Sequence, residues 1–510
     1  MQNDSNITNE KAVIEHLLGS KTEQIETNIN LADKNVTKIL SVSSCFFVDS
    51  TELLVGEVNF SGSLNTNVVY MKEDGNMENL KVATPFNSKY ENAGVNVSGA
   101  IRLIPNIVSS EIEKMSNDTA RVKTTVEVSF YHLENQDVQV YAGGDDDIFV
   151  MQSEIPLSNF TGKNCSTFTQ PVVLDSKIPV GEILSLNAGA IIKKVDSLDS
   201  MIIFEGEVFA RALVTTNEGR PLLIALSNFE NFREEIEDGN AKKDSVIEAC
   251  ARVVCENVEA KVLEENQSVE ISIPIRLCYE IFENKNITIT TDAYATKNEI
   301  SLTTIGFQST EHLGNENFDF KIDGNITLDE SLPRIDKILA VDGSYITLTN
   351  VAYENRELLV EGILHSTVIY LNDDENSINS VEIEIPFSQT ERTNLDNTDV
   401  NVKVETILYD VDATAKRGRE IFIDGKIKLG AWFNKTVANA IISDIVRGEE
   451  VEQNTSAIEI YYAVPGQTIW DIAKDLKVAQ EVLRVQNPEL TEPLTGGEKV
   501  VYYNQKRVDI

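Results

Sequence analysis

The chain has 510 residues, which predicts three or four domains because single hydrophobic cores stop growing at about 250–300 residues. It has 82 acidic and 44 basic side chains, giving a formal net charge of −38 at pH 7. A polyanionic surface repels nucleic acid and anionic lipid, so both are excluded as default partners. The composition, 42% hydrophobic and 25% charged, is that of a globular protein.

The N-terminal segment 1–24 lies outside the pattern of the rest of the chain. Val13, Ile14, Leu17 and Leu18 have the spacing of a short amphipathic helix, which we expect to fray, to pack against the first domain or to dock a partner. The segment has no basic start and no continuous apolar run, so it is not typical of a signal peptide. No stretch reaches the roughly 18 apolar residues that span a membrane. We therefore expect a soluble, cytosolic protein without membrane insertion.

The chain contains five cysteines, an odd number without any CxxC pair. They are Cys45, Cys165, Cys250, Cys255 and Cys278. This usage argues against a disulfide framework and against a zinc ribbon, and it fits a reducing compartment. For Cys250 and Cys255, the only close pair, we expect small apolar packing residues rather than a metal or redox pair.

Self-similarity is the strongest organisational signal in the sequence. An Ile-Leu pair recurs three times and is followed, 23 or 24 residues after its Ile, by Gly62, Gly206 and Gly362. A tyrosine follows at Tyr70 and Tyr370 in the first and third copies, whereas the second copy lacks it. We expect each glycine to serve a bulge or a close backbone approach. The predicted copies are residues 25–160, 161–315 (the most diverged) and 316–450.

The hydrophobic period inside each copy is two residues rather than 3.6. Val400, Val402 and Val404 alternate with polar residues, and turns rich in Asn, Asp and Gly bound such segments. This alternation indicates half-buried antiparallel strands. Segment 244–262 has a helix-like composition, but its place in the repeat predicts strand. The fold class that we predict is mostly β, with three repeated antiparallel β-sandwich-like domains and a small C-terminal domain.

No catalytic or metal-binding constellation is recognisable in the sequence. The four histidines do not form an HExxH spacing, and no GxSxG or phosphate-binding glycine loop occurs. The acidic turns lack the ligand spacing of a calcium loop. We therefore expect no catalytic residue, no metal and no cofactor. A scaffold or binding protein is favoured over an enzyme hidden in one of the repeats.

Residues 456–506 differ from the repeats in their hydrophobic pattern, which predicts the order strand, helix, helix, strand. Thr468 and Asp471 form a capping-box pattern at the first helix. From Ile469 an i, i+3, i+4, i+7 stripe then gives that helix one buried face. The corresponding stripe of the second helix is Val478, Val482 and Val485.

This C-terminal segment resembles a LysM domain. The matching residues are Tyr462, Val464, Gly466, Thr468, Trp470, Ile472, Ala473, Leu483, Asn487, Pro488, Leu490, Gly497 and Val500. It departs from the family at Gln467, where Asp is usual. LysM domains bind N-acetylglucosamine polymers in a shallow groove, so the resemblance implies a partner- or glycan-binding groove. Its residues here would be Gly466, Gln467, Thr468, Ile469, Trp470, Asn487, Pro488 and Leu490.

Trp470 is the most informative of these residues. It lies about 100° around the helix from Ile469, so the buried stripe alone does not cover it. Two alternatives remain open. Trp470 is either a hot spot for a sugar face or a protein partner, or a plug in the small domain's core.

The three copies and the C-terminal domain together resemble the SPOCS-domain family, which includes SipL-type spore coat morphogenetic proteins. The third copy matches best, through Gly362, Tyr370 and the run Ile385-Pro386-Phe387. The resemblance implies a non-enzymatic adaptor in the mother-cell cytosol, at the forespore surface. Its LysM domain would dock onto the ATPase of the coat basement layer, and its repeats would contact other coat proteins. The alternative is a protein that binds peptidoglycan of the spore cortex or cell wall.

Overall fold

The structure is a computed structural model. It describes residues 7–116, 118–143, 146–263, 267–373, 377–395, 399–452 and 456–504. Within these ranges the chain is mostly β-strand, and its strand pairs are antiparallel, as the two-residue period predicts. The described ranges contain two α-helices, both near the C terminus. Neither is long and apolar enough to cross a membrane.

The first set of strands occupies residues 7–141. Its strands are β1 (Ile7–Asn30), β2 (Val36–Leu54), β3 (Glu57–Lys72), β4 (Met77–Glu91), β5 (Ala100–Lys114) and β6 (Thr119–Tyr141). They form two three-stranded sheets, with the orders β1-β6-β5 and β2-β3-β4. The sheets share a core in which Phe60 of β3 meets Phe130 of β6 edge to face, with 5.5 Å between ring centroids.

The second set, residues 148–295, has the same topology with two strands interrupted. Its strands are β7 (Ile148–Asp175), β8 (Val180–Leu198), β9 (Met201–Thr216), β10 (Pro221–Ala225), β11 (Glu230–Glu237), β12 (Val246–Val253), β13 (Glu259–Val262) and β14 (Ser268–Ala295). β8, β10 and β11 pair with β9, and β7, β12 and β13 pair with β14. Segment 244–262 thus contributes strands, broken by a 3₁₀ turn at Cys255–Asn257.

The third set occupies residues 298–450. Its strands are β15 (Asn298–Thr327), β16 (Ile335–Glu354), β17 (Glu357–Asn372), β18 (Ile378–Arg392), β19 (Val400–Lys416) and β20 (Glu420–Glu450). The sheet orders are β15-β20-β19 and β16-β17-β18, which repeat the first set strand for strand. One core joins both sheets.

Gly62, Gly206 and Gly362 occupy equivalent places in the middle strands β3, β9 and β17. A register shift follows directly after the cross-strand partner of each glycine. A Cβ atom would lie 2.0, 2.4 and 2.6 Å from a main-chain oxygen of the neighbouring strand at the three positions in turn. The expected bulge and close backbone approach are therefore confirmed in all three sets.

The prediction of a short helix within residues 1–24 is wrong for the described part of that segment. Residues 7–30 form β1, which pairs with β6 along its length. Ala12 packs with one hydrophobic cluster and Val13 with another, so both faces of this end are buried and the alternation is lost. β7 and β15 likewise begin early, so the predicted limits at residues 25, 161 and 316 fall inside strands.

The three sets share buried surface with one another. The first halves of β1, β7 and β15, with the ends of their partner strands, form ribbons that pack together. Their common cluster is Ala12, Val138, Val140, Leu157, Ile287, Ile289, Phe307 and Ile441. A second shared cluster joins the other sheets of all three sets through Leu40, Val69, Met77, Leu184, Leu213, Ala340 and Ile369.

Two cysteine pairs are disulfide-bonded, which corrects the expectation drawn from the cysteine count. Cys45 of β2 pairs with Cys255 in the 3₁₀ turn, joining the first and second sets. Cys165 of β7 pairs with Cys278 of β14, and Cys250 of β12 is free. The partners are 210 and 113 residues apart, so only the folded arrangement of strands brings them together.

The C-terminal module, residues 456–504, contains β21 (Ile458–Tyr462), α1 (Ile469–Leu476), α2 (Gln480–Gln486) and β22 (Lys499–Tyr503). The two strands pair antiparallel. Thr468 and Asp471 form both halves of the expected capping box at α1. The predicted buried stripe Val478, Val482 and Val485 is wrong for its last two members, which are 40% and 80% exposed, whereas Val478 packs on the module's core. This short helix instead buries Leu483.

Candidate functional site

The first loop of the expected groove, between β21 and α1, is held by Gln467. Its Oε1 accepts from the Val464 amide at 2.9 Å, and its Nε2 donates to the Tyr461 hydroxyl at 3.0 Å. That hydroxyl in turn donates to Asp475 at 2.8 Å. Gln467 therefore closes its own loop, and the neighbouring Gly466 is exposed with a φ of +88°.

The structure joins this loop to the segment that precedes β22. The Gly466 amide donates to the Leu494 carbonyl at 2.8 Å, and the Leu494 amide donates to the Gln467 carbonyl at 2.9 Å. The Ile469 amide donates to the carboxylate of Glu492. Two stretches far apart in the module's sequence are thus adjacent, although Ile469 itself is buried.

Asn487 is a structural residue of the module. Its Nδ2 donates to the carbonyls of Leu483 and Val501 at 2.9 and 2.8 Å, and its Oδ1 accepts from the Val501 amide at 2.8 Å. Both amide hydrogens are therefore used in joining α2 to β22. Pro488 beside it is exposed, and Leu490 is half-buried against the module's core.

Trp470 is buried, and its side chain lies against the second set of strands. The ring packs edge to face on Tyr294 of β14, with 4.9 Å between centroids. The indole nitrogen donates to Asp292 Oδ2 at 2.8 Å, and Lys474 Nζ lies 2.6 Å from Asp292 Oδ1. Burial raises the pKa of Asp292, but the bonds from Lys474 and Trp470 outweigh it and the pKa is lowered.

Two further contacts hold the module on the second and third sets. The Tyr294 hydroxyl donates to the Val478 carbonyl at 2.9 Å, and the Phe149 ring stacks on the Tyr294 ring with 5.2 Å between centroids. Lys477 pairs with Glu299 at 3.1 Å. The α1 side of the module therefore faces the end of β14 and the start of β15, and α2 keeps its exposed valines.

A buried charged cluster, which no pattern in the sequence indicates, lies where the three sets meet. Glu248 of β12 accepts from Arg102 of β5 at 2.7 Å and from Lys403 of β19 at 2.9 Å. His312 of β15 lies with its Nδ1 2.7 Å from the other Glu248 oxygen. All four are at most 6% exposed. The Glu248 carboxylate of the second set thus contacts residues from both other sets.

Further ion pairs extend this cluster. Arg102 also pairs with Glu280, and Lys163 lies 3.2 Å from the same carboxylate. Burial raises the pKa of Glu280, but Arg102 and Lys163 lower it to about 2. Burial likewise opposes the charge of Glu248, yet Lys403 and Arg102 hold its pKa well below the ordinary value.

Glu15, Glu248 and His312 have the spacing of a metal site, because one donor atom from each lies within 4.8 Å of the others. The ammonium group of Lys403, however, bonds to both carboxylates. A divalent cation would have to displace this charge. The charges of the cluster are therefore paired with one another, which favours a structural role over metal binding.

A cavity of about 790 Å³ lies where strands from the three sets converge. Its lining includes Ser44, Asn187, Tyr345 and Glu405, together with the Cys45–Cys255 disulfide. Part of this polar lining is already engaged, since Tyr345 accepts from the Ser110 amide and Glu405 pairs with Arg252.

Comparison with known proteins gives one positive result. No curated protein and no solved structure matches the chain. A family model described as SipL, SPOCS domain matches residues 334–416, the segment that spans β16 to β19 and includes Gly362 and Tyr370. Residues 334–416 are thus similar to the SPOCS domain of SipL, which indicates a sporulation-related protein.

Proposed function

We propose that the protein is a non-enzymatic adaptor of spore coat assembly, which acts in the mother-cell cytosol at the forespore surface. The observation that carries the proposal is the SipL, SPOCS-domain match over residues 334–416. The matched strands belong to a set whose topology occurs three times. We assign the three sets as SPOCS-like β-sandwich domains, with the second diverged.

Shared cores and buried ion pairs between the sets support a stiff scaffold. The single carboxylate of Glu248 contacts both Arg102 of the first set and Lys403 of the third. A frame of this kind presents its surfaces at fixed spacing, which suits an adaptor that positions other coat proteins. The cluster's carboxylates are engaged with cations, which favours a structural role over general acid–base catalysis.

The C-terminal module is, in this proposal, a LysM domain that docks onto the coat-basement ATPase. The order β21-α1-α2-β22, the capping box and the ordered LysM motif support the assignment. Val482 and Val485 project from α2 into solvent on a strongly acidic protein. Aliphatic side chains cannot bond sugar hydroxyls, so this surface favours a protein partner over a glycan.

A pull-down from sporulating cells tests the proposal, with the full chain, Val485→Glu and Val55→Glu as baits. Val55 is a matched control because it is 84% exposed, in the turn between β2 and β3, and receives the same substitution. The intact chain and Val55→Glu should retain the ATPase, and Val485→Glu should lose it.

Each other outcome has a defined meaning. Retention by all three baits would remove α2 from the docking surface. Absence of the ATPase from the intact bait would overturn the adaptor function. Recovery of peptidoglycan fragments in its place would establish the wall-binding alternative.

A further inference from the structure

Three cysteines lie in one row across three neighbouring strands. Cys278 of β14 pairs directly with Cys165 of β7 on one edge and with Cys250 of β12 on the other. Directly opposite residues of antiparallel strands project to the same face, with Cβ atoms about 4.5–5.5 Å apart. The row therefore holds a disulfide between Cys165 and Cys278 and a free thiol beside it.

We propose that this row is an internal thiol–disulfide exchange site, in which Cys250 replaces Cys165 as the partner of Cys278. The Cys250 thiolate attacks Cys278 Sγ, and a new S–S bond forms as the old one breaks. The electron pair of the old bond leaves with Cys165 as a thiolate. The proton that Cys250 lost to solvent is balanced by one taken up at Cys165. Two sulfurs stay oxidised throughout, so no external oxidant is needed.

The strand order gives the direction of attack. β7 and β12 lie on opposite edges of β14, so Cys250 approaches Cys278 from the side away from Cys165. Displacement at sulfur proceeds along the axis of the breaking bond, and the strand order puts Cys250 on the side of Cys278 from which such an attack must come. Cys165 is exposed, so water solvates the departing thiolate. The exchange therefore moves a reactive thiol from a half-buried position to an exposed one.

The packing of the sets keeps the exchange slow at rest. The charged groups that face Cys250 come from three strands besides its own, with Arg102 on β5, Arg252 on β12, Glu280 on β14 and Glu405 on β19. Burial raises the pKa of the Cys250 thiol to about 11, and Glu405 adds to it. Because only the thiolate attacks, the exchange rate should rise about tenfold per pH unit below that pKa.

The test uses the full oxidised chain in excess N-ethylmaleimide, followed by acid quenching and mass-spectrometric mapping of labels and disulfides. When the exchange is the rate-limiting step before alkylation, the label should accumulate on Cys165 while a Cys250–Cys278 disulfide appears. The rate should rise about tenfold per pH unit between about pH 7 and pH 9. In Cys250→Ser, Cys165 should stay unlabelled and bound to Cys278.

Two results would overturn the exchange site. One is labelling confined to Cys250 with the Cys165–Cys278 bond intact. The other is equal labelling of Cys165 in the intact chain and in Cys250→Ser, which would show that its release does not need Cys250. The Cys45–Cys255 disulfide reports in the same maps whether each variant kept its native pairing.

Discussion

Asp292 and Trp470 are 178 residues apart in sequence, and the Trp470 indole nitrogen lies 2.8 Å from Asp292 Oδ2. The other carboxylate oxygen accepts from Lys474, one turn further along α1. One side chain of β14 therefore holds two turns of a helix in the C-terminal module. Because this contact covers the α1 side, the α2 side is the one left exposed for the proposed docking.

Replacing Asp292 with Ala should loosen the module from the strands beneath it. The change leaves a buried indole N–H and the Lys474 ammonium without their acceptor, which costs about 1–3 kcal/mol for an unpaired polar group. Tryptophan emission in a Trp432→Phe background, where Trp470 is the only tryptophan, should shift to longer wavelength. Glu489→Ala, at an exposed position of the same module, is the control. An unchanged emission maximum in Asp292→Ala would mean that other contacts hold the module.

Local patterns in the sequence predict local structure well here. Two-residue alternation predicts the strands, and the pair Thr468 and Asp471 predicts the start of α1. Both features are predictable because they depend on residues that are close together in the sequence. The environment of Trp470 is not available from such patterns, since its acceptor belongs to β14. β1 is not recognisable from the sequence for a related reason, because packing on both faces near Ala12 removes the alternation that marks a strand.

Glu248→Gln should be among the most destabilising single changes in the chain. It removes the anion that faces Arg102 and Lys403, and breaking a buried pair costs about 3–5 kcal/mol because charge is left uncompensated. Urea unfolding followed by circular dichroism measures the loss. Glu205→Gln is the matched control, because Glu205 pairs with Arg233 at an exposed site. It should lower the free energy of unfolding by less than about 1 kcal/mol. Similar costs for both variants would show that the cluster is not a stabilising feature.

Acid should unfold the protein through this same cluster. The folded-state pKa of Glu280 is about 2 against an ordinary 4.5, so its contribution is complete above 4.5 and is lost as pH falls toward 2. The shift corresponds to roughly 3 kcal/mol. Urea titrations at several pH values through this window measure the free energy of unfolding. This free energy should fall more steeply with decreasing pH in the intact chain than in Glu280→Gln. Parallel curves would contradict the assignment.

The buried cluster illustrates the limit of strand periodicity. Arg102, Glu248 and Lys403 are charged residues on strands whose other faces are apolar, so each one read alone predicts a solvent-facing position. The neighbouring sets bury them, and each charge finds its partner on a strand more than a hundred residues away. Which sets meet, and in which register, is information that no single strand carries.

Gly362→Ala should destabilise the third set through a direct clash. The new Cβ would lie 2.6 Å from the Thr347 carbonyl oxygen and 2.8 Å from the Phe387 ring, so β16 or the ring must move. Forcing atoms into a packed site costs typically about 1–3 kcal/mol.

Gly239→Ala is the matched control, because nothing lies within 4 Å of its added Cβ; a gain of about 0.4–1 kcal/mol is expected from the stiffer unfolded chain. Differential scanning calorimetry of both variants checks the sign. Gly62→Ala and Gly206→Ala should lower the melting temperature as Gly362→Ala does, because the same backbone approach recurs in each set. A neutral Gly206→Ala would show that the close approach is not needed in the second set.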